Sequence, residues 1–357
     1  MSTLNVQSDR GILDHDEIDR EFSEKKALYE NTALGISLRG QHIYFAEVEK
    51  GDSEFYASKF GMIPTTMKFG SGIEGVEKNV SDLYSYINGG IEDNAIQAKR
   101  FNLSINTQLT TIHKTYVEAN CTEDEFESFV KWEIGKQILD EVDQFIVNTA
   151  NLRSISDESK LDPVLIVGIR RRFVETLSQV LEKVKINLAG IDVDILCSHA
   201  VYEMNYDRYP GGMTALVELK PGATTILLCD DYEVEHVYQF TTTSKSSPQK
   251  IASLLNRHLD NAMEVYNQSS QKNLALGRVI LCNEFAASAL PFVDARFNPS
   301  AINPFAKIQI PKPFANEEST ANKNEDDSEV EPKEEVPPPD YSPFAECVGA
   351  AIKILTA

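Results

Sequence analysis

Few residues of this chain stand at the spacings that catalysis or metal binding requires. Its six histidines (His15, His42, His113, His199, His236 and His258) show no H-x-x-x-H or H-E-x-x-H pattern, the spacing that sets ligands on one helix face. They are read as surface or core side chains. The five cysteines (Cys121, Cys197, Cys229, Cys282 and Cys347) are odd in number and widely spaced, with no C-x-x-C. Four lie in apolar stretches, where a free thiol packs as a small hydrophobe. The pattern argues for reduced thiols in a cytosol and against zinc, and no metal ligand is assigned. A serine nucleophile would need something like G-x-S-x-G, and the nearest fragment, Gly70-Ser71-Gly72, reads as a turn. The one compact basic run, Arg170-Arg171-Arg172, opens an expected helix and reads as solvated side chains.

Composition narrows the partners. The formal net charge of −21 repels phosphate backbones and anionic membrane alike. No nucleic acid is expected, and membrane attachment would have to come through a partner. Apolar runs such as Val164-Leu165-Ile166-Val167 fall far short of the roughly 20 residues that cross a bilayer. The first residues carry Asp14, Asp16, Glu17, Asp19 and Glu21 where a signal peptide would need a basic start and an apolar stretch. A cytoplasmic protein without direct membrane insertion is expected.

The elements follow from periodicity. Three strands are predicted at 33–38, 42–48 and 55–61, then a helix near 73–87 and a strand at 101–105. The same order recurs at 214–219, 224–229, 234–240, 248–266 and 278–282. Such a duplicated β-β-β-α-β chain folds as two α/β halves around a cleft, the default ligand site. Between the copies, 110–186 has its own logic of strand, helix, strand, strand, helix. Its first helix opens on a capping box, Thr122 with Glu125, and carries Phe126, Phe129, Val130 and Ile134 at helical spacing. Trp132, beside Phe129, is expected to pack in the core, with the border of a partner surface as the alternative. The second helix carries Phe173, Val174, Leu177, Val180, Leu181 and Val184 on one face. The division is an acidic tail (1–32), a first half (33–109), an inserted subdomain (110–187), a return to the first half (188–210), a second half (211–315), an acidic disordered loop (316–340) and a closing helix (341–357).

Several segments in this order resemble the PilM branch of the actin-like ATPase family, which also includes the cell-division protein FtsA. They are Ala33-Leu34-Gly35-Ile36-Ser37-Leu38, Trp132-Glu133 leading to Leu139-Asp140-Glu141-Val142, Val164-Leu165-Ile166-Val167-Gly168, Ala189-Gly190-Ile191-Asp192-Val193-Asp194, Asn303-Pro304-Phe305 and the terminal 345–355 helix. The resemblance implies a two-domain, ribonuclease H-like actin fold in which 110–187 is a 1C-type subdomain and the closing helix packs on the first half. It also implies a scaffold role: binding the cytosolic tail of a PilN-like inner-membrane protein, joining other pilus assembly proteins, and being open to self-association. The groove for that tail carries no transferable motif.

The same resemblance marks a nucleotide cleft whose motifs have eroded. Actin-like ATPases hold phosphates with two glycine-rich hairpins, each led by an aspartate, and adenosine near a Gly-Gly turn, because only glycine lets the backbone reach phosphate and magnesium wants hard oxygen ligands. Here Ser37 replaces the first aspartate and Arg39 the following glycine, leaving Gly40. In the second hairpin Glu218 keeps an acid, but Lys220 replaces glycine and Pro221 removes an amide donor before Gly222. Cys282-Asn283 replaces the glycine pair. The chain is therefore expected to be a pseudo-ATPase without a cofactor and with no catalytic residue. Two alternatives stay open. In the first, Arg39 and Lys220 neutralise phosphate by direct charge, so that ATP with magnesium binds without efficient hydrolysis, or the chain is a working actin-like ATPase or sugar-kinase relative; in the second, the chain is the cytoplasmic domain type of a type II secretion protein of the GspL kind, which is normally fused to a transmembrane helix.

Overall fold

The computed structural model describes residues 30–69, 80–152, 160–209, 212–242, 246–270, 273–310 and 339–357. Nearly all of the expected acidic tail and acidic loop, the Gly70-Ser71-Gly72 turn and the predicted start of the first helix lie outside these residues.

Side chains alternate across a strand, and this alternation sets the first sheet. In β1 (Thr32–Lys50) Leu34 and Ile36 enter one core, while Ala33 on the opposite face enters another. Ser37 and Arg39 share that opposite face by the same period. β1 pairs antiparallel with β2 (Phe55–Phe69) through its later part and parallel with β3 (Arg100–Ile105) through Leu34 to Ser37. The two strands expected at 33–38 and 42–48 are thus one run, and the third continues to Phe69 because its partner strand extends to Gly40. Helix α1 (Val80–Asp93) covers the Leu34 face with Leu83 and Ile87.

The inserted stretch contributes β4 (Thr110–Glu118), α2 (Glu123–Gln137), β5 (Phe145–Asn151), β6 (Leu161–Arg170) and α3 (Arg171–Leu181). Its strands form their own antiparallel sheet, ordered β4-β6-β5, and α2 carries the predicted capping box. Val130 and Ile134 of α2 pack with Val117, Val164 and Ile166. The apolar face of α3 goes elsewhere: Phe173, Leu177, Val180 and Leu181 join the core of the first sheet. Lys114 of β4 and Glu235 form a 2.7 Å ion pair, so this subdomain also touches the second half.

Then follow β7 (Asn187–Val193), α4 (Asp194–Asn205), β8 (Met213–Lys220), β9 (Ala223–Asp230), β10 (Glu233–Thr241), α5 (Pro248–Ser270), β11 (Leu276–Cys282), α6 (Ala286–Ala289), β12 (Pro299–Ala301), β13 (Ile308–Gln309) and α7 (Ala345–Thr356). The first sheet reads β13-β2-β1-β3-β7 and the second β10-β9-β8-β11-β12. Every residue of β8 is buried, as expected of a central strand covered on both faces. Met213, Ala215, Val217 and Leu219 face α5, so Leu216, Glu218 and Lys220 face the first half.

Helices α4 and α7 lie in the core shared by the two sheets, with Ile195, Val201, Val348 and Ala351 packed among β1 and β8 residues. The approach is close. A Cβ on Gly35 would stand 1.7 Å from the Cys347 carbonyl oxygen, and one on Gly349 would stand 1.8 Å from that of Cys197. Only glycine admits α7 at this depth. Cys197, Cys229, Cys282 and Cys347 are buried and Cys121 is half-buried, all as free thiols. Among the described residues no helix is long and apolar enough to cross a membrane.

Candidate functional site

The two hairpin segments meet across the cleft. Because β1 and β8 present alternate residues to the shared core, Ser37 and Arg39 come from one side and Glu218 and Lys220 from the other. Asn283 arrives at the end of β11, with a positive φ of 73°. Two acids join them. Asp194 opens α4 and Glu346 lies in the first turn of α7. Ser37, Arg39, Glu218, Lys220 and Asn283 are all at most 6% exposed, and Asp194 and Glu346 are 1% exposed. The residues expected to line a nucleotide cleft therefore face one another instead of solvent.

Lys220 is the centre of this arrangement. Its ammonium stands 2.9 Å from Glu218 Oε2, 2.7 Å from Glu346 Oε1 and in direct contact with Asp194 Oδ2. The second Asp194 oxygen accepts the backbone N–H groups of Thr107 at 2.9 Å and Ile195 at 2.7 Å. Ser198 Oγ donates to Glu218 Oε1 at 2.7 Å. Glu346 is the second hub: Ser37 Oγ donates to it, Asn283 Nδ2 donates at 2.7 Å, and Arg39 Nε lies 3.4 Å away. Arg39 also pairs with Glu284 at 3.2 Å, donates to the Pro343 carbonyl and lies over the Tyr44 ring at 4.0 Å.

Charge in this dry place redistributes. Burial pushes the Glu346 carboxyl up, but Arg39 and Lys220 outweigh it and hold the group down at about 2. Burial and the neighbouring Asp194 charge drive Glu218 well above the usual carboxylate range, against the pull of Lys220. Asp194 is also raised, by burial and by Glu346. Burial lowers Lys220, yet its three carboxylates more than compensate and keep it firmly charged. Burial and Glu284 push the Tyr44 hydroxyl up to about 12 despite Arg39.

Of the residues predicted for the cleft, Ser37, Arg39, Glu218, Lys220 and Asn283 converge. Cys282, next to Asn283, packs in the shared core, and burial raises its thiol pKa well above the ordinary value. Gly40, within β1 at its register shift, and Gly222, in the turn from β8 to β9, have φ of 56° and 87°. Sequence reasoning missed Asp194 and Glu346. The signal for Glu346 was present: one acid in an apolar helix that is almost wholly buried demands a partner. The absence of an acid beside Ser37 also needs correction, since Glu346 supplies one from far along the chain, although with Arg39 and Lys220 already on it. Trp132 is the other correction. It is 60% exposed because two residues turn a helix by roughly 200°, which places it opposite Val130 and Ile134. Lys136 covers its ring at 3.7 Å.

The two sheets and the helices between them make a two-domain actin-like fold. Among solved structures the chain is similar to a chain of the PilM-PilN type IV pilus biogenesis complex, with a TM-score of 0.70 and 13% identity over 90% of this chain and 98% of that one. Looser likenesses are to the cytoplasmic domain of EpsL, an inner-membrane component of the type II secretion system of Vibrio cholerae (TM-score 0.41, 14% identity, 71% and 82% of the two chains), and to a Bacteroides thetaiotaomicron protein of actin-like ATPase fold and unknown function (TM-score 0.44, 12% identity, 78% and 93%). No protein-family model matches the chain, and no curated protein does.

Proposed function

We propose that this chain is a cytoplasmic PilM-like scaffold of a type IV pilus or related secretion assembly, held at the inner membrane by the cytosolic tail of a PilN-like protein, and that it hydrolyses no ATP. The observation that carries the reading is the filled cleft. A magnesium-bound triphosphate needs open glycine loops and oxygen ligands free for the metal; here the carboxylates are occupied by Lys220 and Arg39 and nothing in the cluster is exposed. The likeness to a chain of the PilM-PilN complex supports the partner, because a fold that no longer turns over nucleotide still offers a shaped surface to an extended peptide.

Two measurements test the two parts separately. Isothermal titration with Mg-ATP, run alongside a phosphate-release assay, is expected to give no heat of binding and no phosphate; micromolar binding together with steady phosphate release would overturn the inactive cleft. Pull-down from cells is expected to recover a single-pass inner-membrane protein with a short cytosolic N-terminus. Recovery of metabolic enzymes alone would count against the scaffold, whereas a type II secretion partner would move the protein to the GspL kind.

A further inference from the structure

We propose that Lys220 is the cleft's own cation: its ammonium, together with the Arg39 guanidinium, takes the place of a divalent metal among three carboxylates and clamps the two halves together with no ligand bound. The inference rests on the filled-cleft reading and says what fills it. One oxygen each from Asp194, Glu218 and Glu346 lie within 4.8 Å of one another, a spacing at which a single ion can be held. The Lys220 ammonium sits among them, and an ammonium carries three protons for three such neighbours. Lys220 and Arg39 bring two positive charges to the cluster, the charge of one Mg2+ or Mn2+.

The origins of the carboxylates make this a clamp. Glu218 and Lys220 belong to β8 of the second half, whereas Glu346 rides on α7, which is seated on β1, and Asp194 on α4 beside it. Arg39 of the first half reaches across to Glu284, just beyond β11. Three ion pairs therefore cross between the halves: Lys220 with Asp194, Lys220 with Glu346, and Arg39 with Glu284. A tethered cation cannot dissociate, so the closed cleft depends on no cellular metal or nucleotide concentration.

The test is to remove the tethered cation and supply a free one. Lys220→Ala leaves three buried carboxylates around a vacated space. Its melting temperature should fall below that of the wild type, and millimolar Mn2+ should raise it again by roughly 5 °C at a hundredfold excess over Kd. Electron paramagnetic resonance should count one bound Mn2+ per chain. The wild type should show neither the shift nor the bound ion, and Lys220→Ala/Glu346→Gln should lose both. If the alanine variant is recovered folded only when Mn2+ is present, the proposal is supported. If it cannot be recovered in either condition, Lys220→Gln, whose amide oxygen can itself ligate metal, should show the Mn2+ response. Failure of both variants to respond, or an equal response from the wild type, would overturn the clamp. Phosphate release by the wild type from Mg-ATP would sink the scaffold reading by a different observation.

Discussion

Glu346 is where a single atom group bears most of the cleft's electrostatics. It receives Ser37, Asn283, Arg39 and Lys220 at once. Replacing it by glutamine leaves two buried cations short of an anion, and breaking a buried pair in this way costs about 3–5 kcal/mol. Urea unfolding of Glu346→Gln at neutral pH should show that loss. The pH dependence has a defined sign. The folded-state pKa of Glu346 is depressed to about 2, so its contribution is complete above the ordinary glutamate value of about 4.3 and is lost as pH falls from there through about 2. The wild type should lose its advantage over Glu346→Gln across that window. Glu218 acts in the opposite sense, since burial and the neighbouring Asp194 raise its carboxyl in the folded state, so that its contribution favours the fold as pH falls. If the difference between the two proteins does not change over the acid window, the assignment of Glu346 as a charged hub fails.

Helix α7 sets the geometry at the next scale, and its fit depends on two glycines that face backbone. An alanine at 349 would drive its Cβ to 1.8 Å from the Cys197 carbonyl, which cannot yield as a side-chain tip could. Gly349→Ala should therefore destabilise by about 3 kcal/mol or more in urea titration, with a value near zero marking the packing as looser than described. Helix α2 gives the contrary case. Trp132 is the only tryptophan and is largely exposed, so the protein's tryptophan emission should lie near that of free indole and be quenched by iodide. Trp132→Ala should change stability by no more than about 0.5 kcal/mol. The capping box at Thr122 was readable because it is written within four residues. The outward turn of Trp132 was also written there, in its offset from Val130 and Ile134, but aromatic composition outweighed helical angle in the reading. The docking of α3 on the first sheet was less legible, since an apolar stripe does not name the surface that it will cover.

Across the whole molecule, what could be read was local and repeated. Two runs of strand, strand, strand, helix, strand announce paired halves, and the positions of Ser37, Arg39, Glu218 and Lys220 follow from the two-residue period of β1 and β8. The cluster they enter was not readable, because its remaining acids come from α4 and α7 and meet the hairpins only after both sheets have formed. Ser37 and Glu346 are 309 positions apart, and Asn283 and Glu346 are 63 apart. Closing such long loops costs entropy before the contacts reward it, and we expect the cluster to assemble late. Interactions absent at the rate-limiting step govern escape from the native state more than arrival at it. Weakening the cluster should thus hasten unfolding in a stopped-flow experiment and leave the refolding rate almost untouched, which makes it a latch on the lifetime of the folded molecule.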